Sequence, residues 1–210
     1  MQTADLSVQL GPRFREALVY AAELHVDQVR KETAIPYIAH LLSVAALVIE
    51  DGGGEDQAIA GLLHDAVEDQ GGQPTLEIIR ARFGQQVADI VEACSDADRF
   101  PKPPWRERKE RYVEHLRHAD ESVLRVSLAD KLHNARAIVL DYRTLGEQLW
   151  SRFNATRDDT LWYYHGVLGV LRDRLSSPLV DELARTILQL ENLIGAEAGS
   201  NSVPLDNSRA

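Results

Sequence analysis

The densest set of groups able to do chemistry is Gly61-Leu62-Leu63-His64-Asp65-Ala66-Val67-Glu68-Asp69. At helical spacing His64 and Glu68 stand at i and i+4, and Asp65 and Asp69 make a second such pair. Asp65 also faces Glu68 at i+3. Gly71-Gly72 reads as a helix stop, so three carboxylates crowd the C-terminal half of this helix. There they oppose the macrodipole, at ~0.3–1 kcal/mol each when exposed, and no Lys or Arg in the segment compensates. A bound divalent cation removes the conflict by inverting the local charge balance. The plainer reading of the same residues is a hydrogen-bonded helix end with exposed acids.

Two distant residues add to this set. His40 closes Ile35-Pro36-Tyr37-Ile38-Ala39-His40, near the start of an apolar helix. Asp130 sits inside Leu128-Ala129-Asp130-Lys131-Leu132-His133-Asn134, where an unpaired buried carboxylate is costly and calls for a strong partner. Taken singly, His40 reads as a core histidine and Asp130 as a salt-bridged acid. Taken together, His40, His64, Asp65 and Asp130 form a mixed nitrogen and oxygen donor set. That set suits Mn²⁺, Fe²⁺ or Zn²⁺ better than Ca²⁺. The single cysteine, Cys94, allows no CxxC and no intrachain disulfide, which fits a reducing, cytoplasmic setting.

The elements that must hold these residues are helices. Helical periodicity covers Phe14 to Val29, then 38–50 up to Gly52-Gly53-Gly54, and 56–70 as one helix ending at Gly71-Gly72. Short helices follow over 74–82 and 85–95. Residues 96–105 (DADRFPKPPW) read as a loop, since Pro103-Pro104 cannot lie in a helix interior. A charged helix over 106–118 reads as a solvated face, with Arg106, Arg108, Lys109 and Arg111 interleaved with Glu107, Glu110 and Glu114. Helices over 121–140, 160–175 and 179–193 complete the chain. No strand alternation, repeat or linker is visible. The expectation is an all-α single domain of about 8–10 helices over 1–195, with a small, polar, disordered tail over 196–210.

The 210 residues carry 44% hydrophobic and 27% charged side chains, which suits one domain with a real core. No apolar run reaches the roughly 18 residues of a membrane span, and the N-terminus lacks a signal-peptide pattern. The net charge of −10 repels polyanions at long range and disfavours a nucleic-acid partner. It does not disfavour a small phosphorylated ligand, because a local pocket of Arg, Lys and metal outweighs the global charge.

In this order, a lone His, a His-Asp pair and a distant Asp resemble the HD superfamily. The wider text is similar to the hydrolase domain of RelA/SpoT proteins: Arg30-Lys31, Pro36-Tyr37-Ile38-x-His40, His64-Asp65-x-x-Glu68-Asp69 and Leu128-Ala129-Asp130-Lys131-Leu132-x-Asn134. The resemblance runs over about residues 14–175. The chain is too short for the synthetase and regulatory domains of the long members, so it looks like a stand-alone small alarmone hydrolase. The resemblance implies hydrolysis of (p)ppGpp to GDP or GTP plus pyrophosphate, usually with Mn²⁺. It also implies His40, His64, Asp65 and Asp130 as ligands and Glu68-Asp69 as the pair that handles water and protons. By the same resemblance Arg30, Lys31, Lys131 and Asn134 contact substrate, and Tyr163 is an aromatic near the base or a plain core aromatic. Related single-domain members self-associate, which leaves a homo-oligomer open. The chain departs from the family at Leu41, where Pro is common, at Cys94-Ser95-Asp96, and in the proline-rich run 100–105.

The chemistry fits the residue types independently. A divalent cation acidifies water and polarises a phosphoryl oxygen, and Glu68 or Asp69 relays the proton. Three alternatives stay open: an HD enzyme for another nucleotide ((p)ppApp, NADPH or a deoxynucleotide), a non-catalytic nucleotide-binding scaffold, and a plain helical bundle.

Overall fold

The computed structural model describes residues 9–95 and 103–200. Among them the chain forms ten α-helices, a 3-10 segment and no strand. The only strand-like pairing is an isolated bridge between Val29 and Pro36. The helices are α1 Pro12–Leu24, α2 Ile38–Glu50, α3 Glu55–Leu63, α4 Ala66–Asp69 and α5 Gln73–Phe83. They continue as α6 Gln85–Cys94, α7 Trp105–Leu116, α8 Glu121–Leu145, α9 Arg157–Arg174 and α10 Pro178–Ser200. The 3-10 segment η1, Gly146–Arg152, joins α8 to α9. No described helix is long and apolar enough to cross a membrane.

One apolar core joins these elements, and α8 runs through its middle. It packs on α2, α3, α6, α9 and α10. Its inner stripe, Val123, Leu124, Leu128, Leu132, Ala135 and Val139, is buried at helical spacing. Helix α3 lies hard against α2 because residue 61 has no side chain: a Cβ there would stand 3.2 Å from the Ala45 Cα.

Several boundaries differ from the sequence reading. The first helix ends at Leu24, so His25 and Val29 fall in the turn that carries the Val29–Pro36 bridge. The helix expected over 56–70 is two helices. It breaks at His64-Asp65, although both keep right-handed torsions (φ −59°, ψ −30°; φ −95°, ψ −3°), and restarts at Ala66. Glu68 and Asp69 therefore lie in a four-residue helix that begins at Ala66, not in the last turns of a long one. Gly72, at φ 66°, then turns the chain into α5. Helix α8 runs five residues beyond 140. Helix α10 continues to Ser200, past Gly195, where the tail was expected to start. The remaining tail residues, 201–210, and most of the expected loop, 96–102, lie outside the described residues.

Candidate metal centre and adjoining cavity

Three elements bring the candidate ligands together. His40 stands on the first turn of α2, His64-Asp65 fills the α3–α4 break, and Asp130 is mid-way along α8. Both imidazoles are buried, His40 at 1% and His64 at 3% exposure. One ligand atom each from His40, His64 and Asp65 lie within 4.8 Å of one another. Asp130 completes the group from the α8 side: its Oδ1 is 3.3 Å from His40 Nε2 and 3.6 Å from His64 Nε2. Asp65 Oδ2 is 3.5 Å from His40 Nε2 and 3.1 Å from His64 Nε2.

His64 Nε2 is buried and makes no hydrogen bond, while two carboxylates approach it. Burial works to lower the His64 pKa, but the adjacent Asp65 and Asp130 charges outweigh it and hold the value well above 6.5. Asp65 and Asp130 are likewise held well below the ordinary carboxylate range against the cost of burial, Asp65 by His64 and Asp130 chiefly by Lys131. Two imidazole nitrogens and two ionised carboxylates around one point suit a divalent cation. Cys94 offers no thiolate, because burial pushes its pKa up to about 11.

A surrounding layer of hydrogen bonds fixes the ligands. The Tyr37 hydroxyl donates to Asp65 Oδ2 at 2.6 Å. Burial and the nearby Asp65 charge raise its pKa, so it stays a donor. His64 Nδ1 lies 2.9 Å from the Gly61 carbonyl oxygen. His40 Nδ1 lies 2.8 Å from His133 Nδ1. Burial and the neighbouring His40 and Arg30 charges lower His133 to about 4, so it is neutral at pH 7. On the Asp130 side, Lys131 Nζ reaches Oδ2 at 2.5 Å and Asn134 Nδ2 donates to Oδ1 at 2.5 Å. Arg30 Nη2 in turn donates to Asn134 Oδ1 at 2.9 Å. Asn134 thus ties Asp130 to Arg30, and Lys131 is a buried ion-pair partner of the same aspartate. Of the acid pair, Glu68 is partly buried, while Asp69 is exposed and accepts from Gln28 Nε2 at 2.8 Å.

A cavity of about 330 Å³ opens beside this centre, and all five residues expected to meet substrate line it: Arg30, Lys31, Lys131, Asn134 and Tyr163. Lys109 and Arg152 bring its cations to five, against one carboxylate, Asp141. The local field is therefore positive in a chain of net charge −10. Tyr163 is 6% exposed and belongs to the core, yet its buried hydroxyl has no hydrogen-bond partner. Tyr163 is thus a core residue that also lines the cavity.

A model of the HD domain matches residues 17–161, which include all four candidate ligands. The chain belongs to the HD domain family. Within it, the chain is 44% identical over 124 residues to the guanosine-3′,5′-bis(diphosphate) 3′-pyrophosphohydrolase MESH1 of Xenopus tropicalis, covering 58% of this chain and 66% of that protein. It is 33% identical over 132 residues to the bifunctional (p)ppGpp synthase/hydrolase SpoT of Escherichia coli, covering 60% of this chain and 18% of that protein. The chain thus spans just under two-thirds of the length of the MESH1 relative. Among solved structures it is similar to a metazoan ortholog of SpoT that hydrolyses ppGpp and plays a role in starvation responses. That match has a TM-score of 0.71 and 25% identity, and covers 89% of this chain and 99% of that one.

The HD-domain motifs single out the ligands but not their supports. Tyr37 and His133 both lie inside the motif segments, yet nothing in their spacing marks them as hydrogen-bond partners of ligands. The charged helix α7 has the solvated face expected of it at Arg106, which pairs with Glu110 at 2.9 Å and Asp159 at 3.1 Å. Its other face departs from that reading: Lys109 turns into the cavity, with Nζ 4.9 Å from the centre of the Tyr163 ring. Arg152, Phe153 and Asn154, at the end of η1, line the cavity from a segment with no helical periodicity.

Proposed function

We propose that this HD-domain chain is a metal-dependent 3′-pyrophosphohydrolase of (p)ppGpp-type nucleotides, with Mn²⁺ as its cation and the cytoplasm as its setting. The observation that carries the reading is the junction of two differently charged sites. A buried donor set of His40, His64, Asp65 and Asp130 adjoins, through Lys131 and Asn134, a cavity lined by five cations. The similarity to MESH1 and SpoT supports the choice of substrate class.

The cation, held by those four residues, would supply positive charge at the reacting phosphoryl group and lower the pKa of a water. The chain's own residues do the rest. Arg30, Lys31 and Lys109 neutralise the diphosphates, and Tyr163 and Phe153 offer ring surfaces to the base. Glu68 or Asp69 orients the water and accepts its proton as the water attacks the phosphorus bonded to the 3′ oxygen. The bond from that phosphorus to the 3′ oxygen breaks, the departing 3′ oxygen takes up a proton to become a hydroxyl, and pyrophosphate leaves. Lys131 and Asn134 contribute by holding Asp130.

The test is metal content of the purified protein followed by product analysis with Mn²⁺ on ppGpp, pppGpp, ppApp, NADPH and deoxynucleotides. Pyrophosphate release from ppGpp and pppGpp is the expected result. Orthophosphate release from NADPH or a deoxynucleotide, with ppGpp untouched, would move the chain to another HD substrate.

A further inference from the structure

The two candidate ligand histidines are anchored by different kinds of group. His64 Nδ1 faces the main-chain oxygen of Gly61, one turn back in its own helix, at 2.9 Å. A carbonyl oxygen only accepts, so the proton of the His64 imidazole is pinned to Nδ1 and the Nε2 lone pair is left for the centre. His40 Nδ1 faces another imidazole nitrogen, His133 Nδ1, at 2.8 Å. An imidazole nitrogen accepts or donates, so this contact has two arrangements. In one, His40 donates and its Nε2 is a bare lone pair beside Asp65 and Asp130. In the other, His133 donates and His40 carries its proton on Nε2, where it blocks ligation.

Only the first arrangement is compatible with a cation on His40. We infer that His133 is a positioning residue of the metal centre, which accepts the Nδ1–H of His40 through its own Nδ1 and so holds the His40 Nε2 lone pair toward Asp65 and Asp130. The inference rests on the metal-centre reading above. The local geometry favours a fixed contact. The two rings are 4.8 Å apart at 40°, and His40 is 1% exposed, so its Nδ1 depends on a protein partner in the intact site. His133 stands three residues after Asp130 on α8, on the same side of the helix. One turn of α8 therefore supplies a ligand and also the group that orients a second ligand on α2. Outer partners of this kind are worth about 10- to 100-fold in metal affinity.

The experiment uses the full chain loaded with Co²⁺ or Zn²⁺, with affinity read by chelator competition. His133→Ala is expected to bind either metal about 10- to 100-fold more weakly and to shift the visible Co²⁺ spectrum. His133→Asn places an amide oxygen near the position of the lost Nδ1 and is expected to recover most of the affinity. Long-range ¹H–¹⁵N imidazole spectra of the Zn²⁺-loaded wild type are expected to show His40 protonated at Nδ1 and His133 protonated at Nε2. Wild-type affinity and spectrum in His133→Ala overturn the inference. So does His133→Asn binding as weakly as His133→Ala, which would assign the effect to ring volume. The opposite tautomer in the wild type overturns it even if neither variant folds. A wild-type chain that takes up neither metal overturns the metal-centre reading itself, before any His133 variant is made.

Discussion

Along α8 the polar residues of the two halves of the site differ in what they touch. Around Asp130 the polar groups crowd one another: two imidazoles, an ammonium and an amide approach one carboxylate. Further along, Asp141, Lys31, Lys109 and Arg152 line a cavity of about 330 Å³. The first region is preorganised and low in solvent, so its electrostatic terms are strong and its geometry is set before any ligand arrives. The second offers charge without a fixed shape. On the proposed function, catalytic precision would belong to the buried donor set and substrate selection to the cavity.

Variants that strike one region and spare the other test this division. The largest effect is expected for Asp65→Asn, which removes a charge from the donor set. Metal uptake and turnover should both vanish while far-UV circular dichroism stays helical. An Asp65→Asn protein with full metal and full activity would falsify the ligand assignment. Next, Glu68→Gln should keep the metal and lose about 10²- to 10⁴-fold in kcat, the range of a lost general base. Full activity in that variant removes Glu68 from the proton path. Lys109→Ala should act on the cavity alone, raising KM for ppGpp by about tenfold, ~1.4 kcal/mol, with Co²⁺ affinity unchanged. A fall in metal affinity there would join the two regions into one.

The smallest effect is a pH dependence of the centre. The carboxylates beside His64 raise its pKa in the metal-free protein, so a cation must displace that proton. Metal affinity should rise with pH, by about tenfold per unit for one proton, until the raised value is passed. In the metal-free protein the sign reverses for stability. The contribution of the His64 pairing is complete below the ordinary value of 6.5 and disappears as pH rises through the raised folded value. Chelator competition and thermal melts from pH 6 to 9 read the two slopes. A flat metal affinity would remove His64 from the donor set.

The division also governs what could be read from the sequence. Apolar periodicity is strong where a helix buries one stripe, and α2 is recovered to the residue. His40 and Asp130 stand out because they are polar groups in apolar context. The His64-Asp65 break was hidden because neither residue is a breaker and both keep helical torsions; only the hydrogen-bond ladder lapses. Lys109 was hidden because α7 carries charges on all sides, and which one turns inward depends on packing against α9, four dozen residues away. The end of η1 has no repeating pattern at all. Cavity residues come from segments whose placement is tertiary, so their roles emerge only once α7, α8 and α9 are set together.

The contact between Gly61 and Ala45 has a consequence for how this centre can change. His64 follows Gly61 by three residues and His40 precedes Ala45 by five, so the separation of the two imidazoles is gauged by main chain meeting main chain. The Val48 side chain borders the same approach, 3.5 Å from where a Cβ at position 61 would stand. A methyl group at position 61 would press on the spacing of α2 and α3, and with it on the distance between the two histidines.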